Sequence, residues 1–182
     1  LDKDKLAIVR RVIRLRYTLL PYWYTCFQAA SVSGEPVMAP LWVHFPRDTR
    51  TFALDDAHMV GPALLVKPVT APGATSIEVY LPGSATHDVW YNAKDWSASA
   101  GGQQVSLSVS LDTIPLFHRG GQLVVKRERV RRSSHLGYRD PLTLIVALDV
   151  QGRCTGRFYL DDYHTHRYQA PERDFALMEL TF

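Results

Sequence analysis

Two pairs of adjacent aspartates, Asp55-Asp56 and Asp161-Asp162, are the first residues to test for chemistry. Two carboxyl groups about 5–5.5 Å apart, one attacking and one donating a proton, can cleave an acetal between sugars with retention. Carboxylates in that role project from separate strand ends toward one point. Sequence neighbours in a turn diverge instead, so both pairs are expected to form turns and caps. His164 and His166, with Asp161 and Asp162, could be drawn as a metal site, because a His-x-His alternation places two imidazoles on one strand face. No third ligand is fixed by spacing, and a solvent-facing turn is the simpler expectation. Trp42, Trp90, Tyr91 and Trp96 could offer flat faces to sugar rings, although core packing is the usual fate of such side chains. Arg127, Arg129, Arg131 and Arg132 could hold an anion or form a solvated connector, and exposed charges of that kind contribute little. No Gly-rich phosphate loop follows a strand, and no Ser/His/Asp order of recognised form is present. No catalytic, substrate-binding or metal-binding residue is therefore assigned.

Composition narrows the class without naming it. With 46% hydrophobic and 21% charged residues, the 182-residue chain has globular composition. A formal charge of +3 is too small for a nucleic-acid footprint. No apolar run approaches the roughly 18 residues expected of a membrane span. Cys26 and Cys154 are the only cysteines and make no disulfide framework; Cys26 fits a small buried apolar residue. The opening Leu1-Asp2-Lys3, without an initiator methionine, suggests a processed or excised piece.

The elements that would position these residues change character near residue 35. Leu6, Val9, Ile13, Tyr17, Leu20, Tyr24 and Phe27 follow helical spacing, and Val12, Leu15, Leu19 and Trp23 widen the apolar stripe. Asp2 or Asp4 can cap this helix, Pro21 should kink or break it, and Gly34 should stop it. A helix apolar on nearly every face needs cover on all sides, and no second long helix is available, so a larger body is expected to precede Leu1. From Val37 the period becomes two, through Met38, Leu41, Val43 and Phe45 to a turn at Pro46-Arg47-Asp48. A short turn is expected at 57–61 and strands at 63–66, 76–82, 105–111, 142–148, 157–160 and 175–182. Residues 93–104 read as a polar stretch, 126–134 as a basic connection between units, and 157–160 is expected to pair with 142–148. The last strand should leave an open edge. Short strands with regular turns argue for an antiparallel sandwich or roll.

The wording of the chain adds a resemblance. Leu15-Arg16-Tyr17-Thr18-Leu19-Leu20-Pro21-Tyr22-Trp23-Tyr24, then Gly34-Glu35-Pro36-Val37-Met38 and Pro40-Leu41-Trp42, resembles the late part of glycoside hydrolase family 31, which contains the α-glucosidases. Ala39 stands where that family usually has arginine. Further matches follow in order over most of the chain: Leu64-Leu65-Val66, Val79-Tyr80-Leu81-Pro82, Trp90-Tyr91, Ile114-Pro115, Arg119-Gly120-Gly121 and Tyr159-Leu160-Asp161-Asp162. Tyr163 takes the place of the glycine usual after the paired aspartates. Arg129-Val130-Arg131-Arg132-Ser133-Ser134 is similar to the branch that trims glucose from N-glycans in the endoplasmic reticulum.

The resemblance implies a mainly β fold with an N-terminal helix. Residues 1–34 would be the final helix of a (β/α)8 catalytic barrel, 35–121 a proximal C-terminal β-domain, and 122–182 an incomplete distal β-domain. The family's catalytic aspartates lie on barrel strands before this helix, so none is transferred here. A parent enzyme would hydrolyse terminal α-linked glucose with retention and without metal or organic cofactor, in the endoplasmic reticulum lumen. Its partners would be the rest of the parent chain, a regulatory subunit and a carbohydrate substrate. The alternative is a non-catalytic carbohydrate-binding β-module.

Overall fold

A computed structural model describes residues 2–169, 171 and 173–182 as a mainly β protein with N-terminal helices, divided into two compact units. The first unit comprises the helices through Glu35, with Leu123–Ile145 and Thr155–Thr181. Its expected single helix is two. Helix α1 (Lys3–Thr18) starts at Asp2, whose carboxylate accepts from the Asp4 backbone N–H, and ends where the Leu19 N–H is shared between the Leu15 and Arg16 carbonyls. Helix α2 (Leu20–Ser33) takes Pro21 in its first turn, where a missing N–H costs nothing. Gly34 closes it in the left-handed conformation (φ 76°), its N–H bonded to the Ala30 carbonyl.

The two helices are buried unequally. Helix α2 buries Pro21, Tyr22, Thr25 and Cys26, whereas α1 buries no side chain among the described residues. Val9, Ile13, Leu15 and Tyr17 are each about half exposed. The stripe that spacing places on α1 is thus left uncovered.

In the second unit (Pro36–Gln122 with Val146–Cys154 and Phe182), six strands form one antiparallel sheet. These are β1 (Met38–Pro40), β2 (His58–Val60), β3 (Leu64–Val66), β5 (Val89–Asn92), β6 (Ala98–Ala100) and β8 (Leu116–Arg119), in the order β1-β2-β3-β8-β5-β6. β4 (Ser76–Leu81) and β7 (Gln103–Ser108) pair as a second, two-stranded sheet. Apolar side chains of both sheets meet around Trp90: Met59, Leu65, Phe117, Val79 and Leu81, joined by Leu41 and Phe45. Trp90 is fully buried, and its indole N–H donates to the Pro82 carbonyl (3.0 Å), as a buried ring nitrogen requires.

Three local expectations are corrected in this unit. The strand expected from Val37 ends at Pro40, and Leu41–His44 forms a one-turn helix, α3. Its turn buries Leu41 in the core while Trp42 and Val43 stay exposed, which strand alternation would not allow. The turn expected at 57–61 contains β2, held between β1 and β3. The polar stretch 93–104 contains β6 and the start of β7, whose pairing with β5 and β4 outweighs weak local propensity.

A four-stranded sheet has the order β10-β9-β11-β12, formed by β9 (Gln122–Lys126), β10 (Thr143–Ala147), β11 (Thr155–Leu160) and β12 (Ala176–Thr181). The pairing expected between 157–160 and 142–148 does not occur, because β9 lies between them. β9 was hidden in the sequence by its basic continuation, yet its Leu123, Val124 and Val125 are all buried. β12 stands at the edge with Leu177 and Met178 partly exposed.

Candidate functional site

In the first unit, α2 is fastened to β11 by polar contacts under its aromatic face. The Tyr159 backbone N–H donates to the Thr25 hydroxyl (3.1 Å), which itself donates to the Pro21 carbonyl (2.9 Å). The Asp161 carboxylate accepts from the Tyr24 hydroxyl at 2.8 and 2.9 Å, the Tyr159 hydroxyl at 3.0 Å and the Tyr163 backbone N–H at 2.8 Å. Burial first, and then the carboxylate, push the Tyr24 and Tyr159 phenols well above their ordinary range. They remain donors at any ordinary pH, which suits a structural knot.

Asp162 points its hydrogen bonds elsewhere. The Thr165 hydroxyl and the backbone N–H groups of Thr165 and His164 hold its carboxyl down to about 2. The neighbouring carboxylates thus serve different partners, and neither is free to attack or donate. Tyr163, between this pair and the histidines, keeps the left-handed geometry expected of a glycine (φ 59°). Its ring lies 4.6 Å from that of Tyr24 and its hydroxyl accepts from Arg127 (3.2 Å). His164 meets His135 rather than His166, and among the described residues no cluster of three metal-ligating side chains occurs.

A groove of about 480 Å³ belongs to this unit, with Ile13, Tyr17, Trp23 and Phe27 along one side and the loop Arg129–His135 along the other. The expected solvated connector runs there without helix or strand and mostly exposed, with its arginines partly engaged by one acid. Arg131 forms a fork with Asp140 through Nε (2.8 Å) and Nη2 (2.5 Å), and Arg129 Nη1 lies 3.7 Å from the same carboxylate. Hydrogen bonding to Arg131 holds the Asp140 carboxyl below its usual range. No spacing rule signals this pair, nine residues apart across a turn.

In the second unit, Asp48 and Asp88 line one hollow of about 550 Å³ with Arg47, Arg50 and Arg119. Sequence reasoning placed Asp48 only in a turn and did not single out Asp88. Asp48 accepts from the Tyr80 hydroxyl (2.5 Å) and the Gly83 N–H (3.1 Å), and pairs with Arg50 (3.0 Å). Burial alone would raise its pKa; the hydrogen bonds from Tyr80, Arg50 and Gly83 outweigh that and hold it below the ordinary value. That is the wrong direction for a proton donor at neutral pH. Asp88 accepts from the Ser84 N–H (3.0 Å) and pairs with Arg119 (3.4 Å). Both carboxylates brace the loops that carry them.

The remaining sequence candidates fall in line. Asp56 pairs with the buried Lys67, so it neutralises a core-edge ammonium rather than capping a helix. Trp90 offers no face to solvent, and the Tyr91 hydroxyl donates to the Leu148 carbonyl (2.9 Å). Trp42 and Trp96 are each about half exposed, Trp96 in a left-handed conformation (φ 61°) with its ring stacked on His118. Cys26 and Cys154 are unbridged and buried, and burial pushes the Cys26 thiol up to about 11, outside the reactive range.

Comparison with known proteins agrees with this architecture. The glycosyl hydrolase family 31 C-terminal domain matches residues 34–124. Human neutral alpha-glucosidase AB is 46% identical over 175 residues, covering 96% of this chain and 18% of its own length. A probable glucan 1,3-alpha-glucosidase of Oryza sativa subsp. japonica is 44% identical over 163 residues, covering 90% of this chain and 17% of its own. The glucosidase II alpha subunit superimposes with a TM-score of 0.91 at 33% identity, over 97% of this chain and 19% of that one. A dextranase of Flavobacterium johnsoniae superimposes at 0.81 with 30% identity, over 96% and 21%. The chain spans about a fifth of the length of the relatives it matches. Order of motifs, sheet topology and superposition agree: the chain belongs to glycoside hydrolase family 31 and corresponds to its C-terminal region.

Proposed function

We propose that this chain is the supporting C-terminal part of a retaining α-glucosidase that removes terminal α-linked glucose from oligosaccharides or N-glycans. In this reading residues 1–34 close the wall of a (β/α)8 barrel, 35–121 form the proximal β-domain, and 122–182 form part of the distal one. The observation that carries it is the uncovered apolar stripe of α1, in a chain that aligns over 96% of its length with a neutral alpha-glucosidase. A barrel packed on that stripe would supply the missing cover and the catalytic acids. The similarity to the glucosidase II alpha subunit, seen elsewhere in a heterodimer with the binding domain of a regulatory subunit, supports an endoplasmic reticulum lumenal enzyme with such a partner.

The chain by itself is expected to be inactive, since each carboxylate described above is engaged by local donors or cations. The test is turnover of a chromogenic α-glucoside by the purified 182-residue chain. No release of chromophore is expected. Turnover abolished by Asp48→Asn or Asp88→Asn, the two carboxylates that share a hollow, would overturn the reading.

A further inference from the structure

We propose that Arg129-Val130-Arg131-Arg132 is a recognition site for a serine endoprotease specific for paired basic residues, cutting Arg132–Ser133, and that Asp140 holds this site latent. Hydrolysis would add the hydroxyl of water to the Arg132 carbonyl carbon and a proton to the Ser133 nitrogen, the protease being regenerated. Such an enzyme takes its arginines in acidic subsites: the residue before the cut, its neighbour, and the one two further back. The loop offers that set on backbone without helix or strand from Arg127 to Ser133. Val130 is 67% exposed, the Arg129 side chain 64%, and Arg132, Ser133 and Ser134 are exposed as well.

Arg131 is the exception. Its guanidinium is forked onto Asp140, whose side chain is only 5% exposed, and Arg129 leans on the same carboxylate. The internal acid and the protease's acidic subsites therefore compete for the same two cations. Cleavage must proceed from molecules in which the fork has opened, so its rate follows the open population when reclosure is fast. A bidentate charge-assisted pair is the kind of contact that keeps that population small. The cut would not separate the halves at once, because β9 lies before it and is hydrogen-bonded between β10 and β11, which lie after it.

The experiment incubates the 182-residue chain with a calcium-dependent paired-basic-specific serine endoprotease and follows intact mass with time. Slow appearance of fragments ending at Arg132 and starting at Ser133, co-eluting in native buffer, is expected. Asp140→Asn should speed the same cut about tenfold or more, the order expected from losing one charged fork. Should Asp140→Asn lose its circular dichroism, Arg131→Lys decides. It keeps a basic pair for the protease, but an ammonium cannot form the fork, so acceleration is again expected. Arg132→Ala should abolish the cut. Absence of cleavage at this bond in every variant, or equal rates in the wild type and Arg131→Lys, would overturn the proposal.

Discussion

Tyr163 carries two opposed effects, and they can be separated by substitution. A left-handed backbone at φ 59° costs a residue with a Cβ about 1–2 kcal/mol, while the ring repays part of that through Tyr24 and Arg127. Tyr163→Ala and Tyr163→Gly both lose the ring, but only glycine escapes the strain. Tyr163→Gly is therefore expected to be more stable than Tyr163→Ala by about 1 kcal/mol in urea unfolding. Asp161 beside it gathers two phenol donors and a backbone N–H, so Asp161→Ala should cost about 2 kcal/mol or more by leaving them unpaired. Asp162 has a pH signature. Its folded value near 2 lies below the roughly 3.9 of an unfolded aspartate, so its stabilisation is present above about pH 4. That contribution fades as pH falls through the folded value. The melting-temperature gap between wild type and Asp162→Ala should therefore be full at pH 6 and close toward pH 2.

At the scale of elements, the chain's stops and starts were legible where one residue dictates backbone geometry. Pro21 and Gly34 mark the break and the end of the helical region because one lacks a donor and the other permits positive φ. Alternating strands such as β4 and β7 were legible for the same local reason. Pairing was not: β9 separates β10 from β11, and nothing within 157–160 encodes which neighbour it takes. The elements also predict a contrast between glycines. Gly34 needs φ 76° but has open space where a methyl group would project, so Gly34→Ala should cost about 1 kcal/mol. At Gly120 a Cβ would run into Val89 Cγ1 and lie 2.8 Å from the Leu148 carbonyl oxygen. Gly120→Ala is expected to cost clearly more, about 3 kcal/mol, through displacement of backbone as well as side chain. Thermal unfolding of the two variants side by side checks the order.

At the scale of the whole molecule, Asp161 and Asp162 accept from nearby backbone N–H groups as a turn reading predicts, whereas Asp56 pairs with Lys67 instead. The contacts of Asp48, Asp88 and Asp140 were not legible, because their partners are set by tertiary placement. Periodicity made the exposed stripe on α1 legible, but the expectation of a helix apolar on nearly every face is not met there, because Arg10, Arg11, Arg14 and Arg16 occupy the rest of its surface and are exposed. Physical consequences follow from that stripe. Val9 and Ile13 are about half exposed on a helix that buries no side chain, in line with the equally exposed Tyr17 one turn further on. Contiguous apolar surface of this kind drives association when nothing covers it. Val9→Glu with Ile13→Glu should therefore lower light scattering of the purified chain while leaving its melting temperature within about 2 °C, because exposed substitutions shift stability by about 0.5 kcal/mol or less. The same pair placed in a full-length relative should be harmful if α1 packs there as proposed, since the acids would then be buried without partners. If the double variant instead unfolded the 182-residue chain, the stripe would already be packed within it, and the proposed packing of α1 against a barrel would lose its footing.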